Sequence, residues 1–314
     1  MADKIATREA YGKALAEFGA EYDNLVVLDA DLAAATKTGI FKKAFPERFF
    51  DCGIAENNMI GVAVGLSLTG KIPFASSFAM FAAGRSFEQV RNSVGYPHCN
   101  VKIGATHAGI TVGEDGATHQ CCEDIALMRT IPGMVILNPA DAVEARLAVK
   151  AAIEYNGPVY LRFGRMAVPV IFGDDYRFEI GRGVRLAEGN DVSLIATGIE
   201  VEQALAAREL LAERGISASV VNIPTIKPLD SELVIAEARR CGAVVTCEEH
   251  TIIGGLGSAV TECLSEACPT PVLRVGVNDT FGRSGPAKEL VSYFGLDAEA
   301  IAAKAEAAVA LKKN

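Results

Sequence analysis

The densest collection of reactive side chains is Ala105-Thr106-His107-Ala108-Gly109-Ile110-Thr111-Val112-Gly113-Glu114-Asp115-Gly116-Ala117-Thr118-His119-Gln120. Two of the four histidines fall within 13 positions, together with two carboxylates and three glycines. Imidazoles and carboxylates delivered to one loop read as a ligand-binding site more readily than as a solvated loop that happens to be polar. The glycines let the backbone turn sharply enough to present them. A second candidate is Gly53-Ile54-Ala55-Glu56-Asn57-Asn58-Met59, where a lone carboxylate separates an apolar strand from an apolar helix. Spacing leaves Glu56 open between two readings. It is either a helix-start residue favoured by the dipole or a buried acid with a raised pKa.

Other features have bland readings. Gly254-Gly255-Leu256-Gly257-Ser258 could hold an anion at a helix start, but a tight turn for close helix–sheet packing accounts for it better. Vicinal Cys121-Cys122 could be a redox pair, yet at the opening of a helix they read as small buried residues. No histidines stand at metal-ligand spacing, and neither G-x-G-x-x-G nor G-x-x-x-x-G-K-[ST] occurs.

Short β-branched runs alternating with longer amphipathic stretches must position these loops. Residues 25–28, 101–104, 134–137 and 158–161 read as buried strands, with helices over 57–68, 81–93 and 142–153. Asp141 is placed to cap the last of these helices. The glycine- and charge-rich stretch 172–190 reads as a linker. A second series follows, with strands at 192–197, 218–223, 243–246 and 272–275 and helices over 201–214, 231–240 and 257–263. The expectation is an α/β chain of two consecutive parallel-sheet domains, 1–180 and 190–314. The candidate loop follows a strand, so it falls at the carboxyl end of a parallel sheet, where open α/β folds bind ligands.

Composition agrees. Of 314 residues, 50% are hydrophobic and 22% charged, which excludes a disordered or fibrous chain. A net charge of −9 without basic runs argues against nucleic-acid or anionic-membrane partners. No apolar run approaches the roughly 20 residues that span a bilayer, and the first residues have no signal-peptide pattern. Eight cysteines without repeated spacing fit reduced thiols in a cytoplasmic protein.

Taken together, Asp29-Ala-Asp31-Leu, Gly53-Ile-Ala-Glu56-Asn-Asn, Ser77-Phe78-Ala-Met-Phe81, the Thr106-to-Gln120 loop and Glu248-Glu-His250 resemble a transketolase, specifically the C-terminal subunit of a split, two-polypeptide one. Gly-Glu-Asp-Gly-x-Thr-His-Gln is the most specific of these. The resemblance spans essentially the whole chain. It implies a pyrimidine-binding module followed by a transketolase C-terminal module, with thiamine diphosphate held at a subunit interface. The reaction implied is transfer of a two-carbon ketol unit from a ketose phosphate to an aldose phosphate through the cofactor carbanion. The Gly-Asp-Gly module that binds the diphosphate and Mg2+ has no counterpart here. A separate N-terminal subunit should supply it, in a heterotetramer.

The resemblance also implies roles. Glu56 would bond the aminopyrimidine N1′, promoting the imino tautomer that deprotonates C2, which favours the buried-acid reading. Phe78 and Phe81 would pack on the pyrimidine and Asp31 would lie near the cofactor. His107 and His119 would contact substrate hydroxyls, phosphate or the developing alkoxide. Asp115 would read the C2 hydroxyl, and Arg8 and Arg165 the sugar phosphate, with Arg162 the natural confusion for Arg165. Three positions depart from the pattern. Gly84 replaces a third ring, Ala35 replaces a phosphate-contacting serine with Thr36 as a possible substitute, and Cys121-Cys122 follow Thr-His-Gln. These bear on the choice of sugar more than on the reaction, so pentose phosphates are the default and a specialised ketose phosphate an alternative. A 2-oxo acid dehydrogenase E1 β-type subunit would share the Glu56 role but not the loop. A non-catalytic protein would have no need of Glu56, His107 and His119.

Overall fold

The computed structural model describes residues 4–312. Leu25–Asp29, Lys102–Thr106, Val135–Leu137 and Val159–Arg162 are wholly buried strands, as their apolar runs require. They belong to a seven-stranded sheet ordered Thr225–Lys227, Val135–Leu137, Val159–Arg162, Lys102–Thr106, Ile72–Phe78, Leu25–Asp29, Phe49–Asp51. All pairings are parallel except that of Thr225–Lys227. The strand Ile72–Phe78 is absent from the sequence expectation because Pro73, Ser76 and Ser77 interrupt its apolar pattern. It is nevertheless buried throughout, with the Ser76 hydroxyl bonded to Tyr11 Oη at 2.6 Å. Helix Thr7–Gly19, also not expected, packs beside Ala142–Glu154. Asp141 caps the latter by accepting from Glu144 N at 2.8 Å, as anticipated.

A second, five-stranded sheet is ordered Val272–Val277, Val244–Thr251, Val192–Ala196, Ala218–Asn222, Val184–Ala187, and only the last strand is antiparallel. That edge strand lies inside the stretch expected to be a linker. Thr225–Lys227, from the second series, crosses back to extend the first sheet. Two α/β domains of mostly parallel sheet result, and the chain is laced between them.

The domains are joined by directed polar contacts. Arg162, 3% exposed, donates to Asp124 Oδ2 at 2.9 Å and to the Glu249 carbonyl at 2.8 Å. Lys227 Nζ donates to the carbonyls of Arg129 (2.8 Å) and Ile131 (2.6 Å). Arg162 is thus spent on holding the fold and not free to meet a ligand. Removing one partner of a buried ion pair costs about 3–5 kcal/mol. Arg162→Ala should lower unfolding free energy by that amount in urea denaturation, and a loss below about 1 kcal/mol would contradict this reading.

Candidate active site

The carboxyl ends of the parallel strands of the first sheet converge on one place, where Asp29, Phe78 and Thr106 each end a strand. Asp29 is fully buried and accepts three hydrogen bonds, from Leu32 N (2.6 Å), Thr36 Oγ1 (2.7 Å) and Thr38 Oγ1 (2.8 Å). These fix the loop 30–38. Burial pushes the Asp29 carboxyl up to about 6 despite those bonds.

His107 follows Thr106 in a left-handed backbone conformation (φ 56°) and stacks on Phe78, with ring centroids 3.8 Å apart. Its Nε2 lies 2.8 Å from Arg8 Nη1, and Nδ1 lies 2.9 Å from Thr106 Oγ1. A guanidinium can only donate, so Nε2 accepts and the proton sits on Nδ1. Burial, reinforced by the charges of Arg8, Arg165 and Lys37 and by His119, pushes the His107 pKa down to about 3. This imidazole is neutral at physiological pH.

Phe81 lies parallel to Phe78 (centroids 5.9 Å), and His119 meets Phe81 edge-on at 5.5 Å. Phe81 belongs to Met80–Arg85, a widened π-helical turn where a regular helix over 81–93 was expected; such turns recur at functional sites. The same turn brings Arg85 over the Phe81 ring (4.7 Å) and within 3.1 Å of Glu56 Oε2. Glu56 stands at a helix start and is buried. It opens helix Glu56–Leu68 and is only 2% exposed. Its single hydrogen bond among the described residues comes from Arg85, leaving Oε1 available.

The second domain fixes the histidine loop. Glu249 Oε1 accepts from Thr111 N at 2.7 Å, and Gly109, at φ 77°, lies so close that a Cβ there would stand 2.2 Å from the Glu249 carboxyl carbon. Burial pushes Glu249 up to about 7. Gln120 Nε2 ties the loop to the carbonyls of Ile110 (2.9 Å) and Arg283 (3.0 Å). A cavity of about 850 Å³ opens beside Phe81 and Arg85, walled across the domain boundary by Thr118, Cys122, Thr251 and Phe281.

The structure therefore brings Arg8, Phe78, Phe81, His107 and His119 into one cluster, with Glu56 joined to it through Arg85. Arg165 lies on the flank of the loop, bonded to the Val112 carbonyl and, at 3.2 Å, to Glu114. Asp31 and Asp115 are exposed on the surrounding loops. Asp29, Arg85 and Glu249 escaped the sequence analysis as site-organising residues. For Arg85 a signal was available, since it stands one position after the glycine that replaces the expected third ring.

Two alternatives resolve. The amides of Leu256 and Gly257, at the start of helix Leu256–Ala267, are held by Glu248 at 2.7 and 2.8 Å. The chain's own carboxylate occupies the place an anion would take. Cys121 and Cys122 are buried, with thiol pKa values raised by desolvation, which disfavours thiolate chemistry.

The pyrimidine-binding domain of transketolase matches residues 3–170, and the transketolase C-terminal domain matches residues 181–301. The chain belongs to the transketolase family. It is 46% identical over 294 residues to the 6-deoxy-6-sulfo-D-fructose transketolase subunit SqwH of Clostridium sp. (strain MSTE9), covering 94% of this chain and 91% of that one. It is 39% identical over 298 residues to an apulose-4-phosphate transketolase subunit of Phocaeicola vulgatus, covering 95% of each. A solved split-gene transketolase, described as an inactive β4 tetramer, superposes with a TM-score of 0.92 at 56% identity, over 98% of this chain and 99% of that one. No helix among the described residues is long and apolar enough to cross a membrane.

The buried, triply flanked imidazole in this transketolase fold makes a specific titration prediction. An unfolded histidine takes up a proton near pH 6.5, whereas folded His107 does so only near 3. The unfolded state therefore binds more protons between these values, and this site's contribution to stability falls as pH drops from about 6.5 toward 3. In NMR of the histidine rings, assigned with His107→Gln, the His107 signals should stay flat from pH 8 to 5. A midpoint near 6.5 would mean that His107 is neither buried nor in contact with Arg8.

Proposed function

We propose that this chain is the C-terminal subunit of a two-polypeptide transketolase, moving a two-carbon ketol unit between sugar phosphates, with thiamine diphosphate as cofactor. The observation that carries the reading is Glu56, a buried carboxylate with one available oxygen, linked through Arg85 to the parallel rings of Phe78 and Phe81. An aromatic heterocycle with a polar ring nitrogen fits a carboxylate and two ring faces. Thiamine diphosphate, when bound, supplies the electron sink for breaking a carbon–carbon bond next to a carbonyl.

This chain's residues would then divide the work. Glu56 holds the proton shared with the pyrimidine ring, and Phe78 and Phe81 stack against that ring, with Asp31 near it. Neutral His107, with its proton on Nδ1, and His119 face the substrate oxygens. His107 Nε2 becomes an acceptor for a hydroxyl if Arg8 turns to an anion. Asp115 reads the sugar C2 hydroxyl, and Arg8 and Arg165 bind the phosphate, where a planar guanidinium can pair two oxygens. No cluster among the described residues could hold a metal ion, and we assign Mg2+ and the diphosphate to an N-terminal partner subunit in a heterotetramer. The eight free cysteines support a cytoplasmic location.

A second reading concerns the sugar. The relative named for apulose 4-phosphate, together with Ala35 in place of a serine, favours a specialised ketose phosphate over pentose phosphates. The retained Gly-Glu-Asp-Gly-Ala-Thr-His-Gln loop speaks against the 2-oxo acid dehydrogenase alternative.

Purified alone, the chain should give no ketol transfer with thiamine diphosphate and Mg2+, and the partner should restore it in a coupled assay over a panel of sugar phosphates. Turnover by the rigorously purified single chain would refute the split arrangement. Glu56→Gln in the reconstituted enzyme should slow hydrogen–deuterium exchange at the cofactor C2 while leaving the fold intact; wild-type exchange would remove Glu56 from its role. A charged hydrogen bond contributes about 1.5–3 kcal/mol. Arg165→Ala should therefore raise KM for phosphorylated donors about 10–100-fold and hardly alter use of hydroxypyruvate. Equal losses on both donors would mean that Arg165 maintains the loop instead.

A further inference from the structure

The position expected to carry a third ring is Gly84, and the fold leaves little room for a side chain there. A Cβ at Gly84 would stand 2.3 Å from Met80 Cε. The next residue supplies a flat group instead. The Arg85 guanidinium lies 4.7 Å from the centroid of the Phe81 ring, and its Nη1 donates to Glu56 Oε2 at 3.1 Å. A guanidinium is planar, cationic and rich in donors. Arg85 thus makes both kinds of contact assigned above to the cofactor's pyrimidine, one with a ring face and one with a carboxylate.

The other surfaces of the cluster are already in use. Phe78 stacks on His107 at 3.8 Å and lies parallel to Phe81 at 5.9 Å, while His119 meets Phe81 edge-on. Arg85 covers the Phe81 face from which it also reaches Glu56. It has room to leave. Its side chain is 51% exposed and lines the interdomain cavity of about 850 Å³. Two further carboxylates line that cavity, Asp279 and Glu123, the latter accepting from Cys122 N at 2.7 Å. The nearby ion pairs are Arg85–Glu56, Arg129–Glu262, Arg162–Asp124 and Arg165–Glu114, so neither carboxylate is paired among the described residues.

We infer that Arg85 is an autoinhibitory arm, an internal occupant of the ring site between Glu56 and Phe81 that an incoming flat heterocycle must turn out toward Glu123 and Asp279. Only the identity of that heterocycle rests on the ketol-transfer reading above. One planar group at a time can lie on the covered Phe81 face and share Glu56. A ligand for the site therefore binds with an apparent affinity reduced by the fraction of chains whose arm is out. One half-exposed ion pair and one cation–π contact together hold the arm in by about 10-fold. The two carboxylates of the cavity give the displaced cation a counter-charge and so lower the cost of its release.

The test titrates thiamine, and separately benzamidine, a flat cation unrelated to the cofactor, into the isolated wild-type chain and Arg85→Ala, with the His119 ring followed by NMR. Arg85→Ala should bind both probes about 10-fold more tightly, a gain that misfolding cannot imitate. Equal or weaker benzamidine binding by Arg85→Ala would overturn the proposal. Tighter benzamidine binding with no binding of thiamine by either protein would keep the arm and refute the cofactor reading. The outward position is read by the double variant Glu123→Gln, Asp279→Asn. It should weaken benzamidine binding about three-fold when Arg85 is present and leave it unchanged in the Arg85→Ala background. Equal losses in both backgrounds would mean that these carboxylates attract the probe directly, which would overturn their part as receivers of the arm.

Discussion

The grip of Glu249 on the histidine loop is the constraint on which the site depends. Its carboxylate accepts from Thr111 N, its carbonyl accepts from Arg162, and Gly109 leaves room for it at the loop's entry. A loop of this length with three glycines would otherwise lose much conformational entropy on ordering. One buried acid from the second domain, anchored by a buried arginine from the first, replaces that freedom with a fixed path. The second domain thus shapes a site whose candidate residues all lie in the first. Ile110, Cys122 and Ala140 of the first domain also pack into the core of the second, but apolar contact alone would not hold the register of a single loop.

Electrostatics of the site follow from the same burial. His107 is closed in by Phe78 on one side and by Arg8 on its Nε2 edge, and both the apolar wall and the cation oppose protonation. A histidine fixed in one neutral tautomer presents a defined acceptor and a defined donor. Asp29 plays a complementary part below the loop 30–38. Two of its three accepted hydrogen bonds come from Thr36 and Thr38, whose hydroxyls are thereby turned away from a ligand. Buried structural acids, here Asp29 and Glu249, decide which groups remain for a ligand.

Around Glu56, helix geometry takes the place of loop geometry. The π-helical turn Met80–Arg85 rotates Phe81 parallel to Phe78 and carries Arg85 onto its face, where the cation–π contact and the bond to Glu56 reinforce each other. A guanidinium stands near where an aromatic ring was expected. The wall is thereby charged as well as flat, which places a positive group in the lining of the interdomain cavity.

Much was determined by the sequence alone. The β-branched runs marked most strands of both sheets, Asp141 announced its helix, and the dense loop at 105–120 together with Glu56 pointed to the site. These are local signals, because burial on both faces of a parallel sheet forces a continuous apolar run and a helix start demands a cap. The strand Ile72–Phe78 was illegible because its serines find partners only in the folded chain, as Ser76 does in Tyr11. The crossing of Thr225–Lys227 to the first sheet was illegible for the same reason, since no local pattern states which sheet a short strand will join. Only the tertiary structure separated Arg162, buried on Asp124, from Arg165, left half-exposed beside the loop. Three residues apart on one chain the two are the same chemistry, and the partners that distinguish them come from elsewhere in sequence.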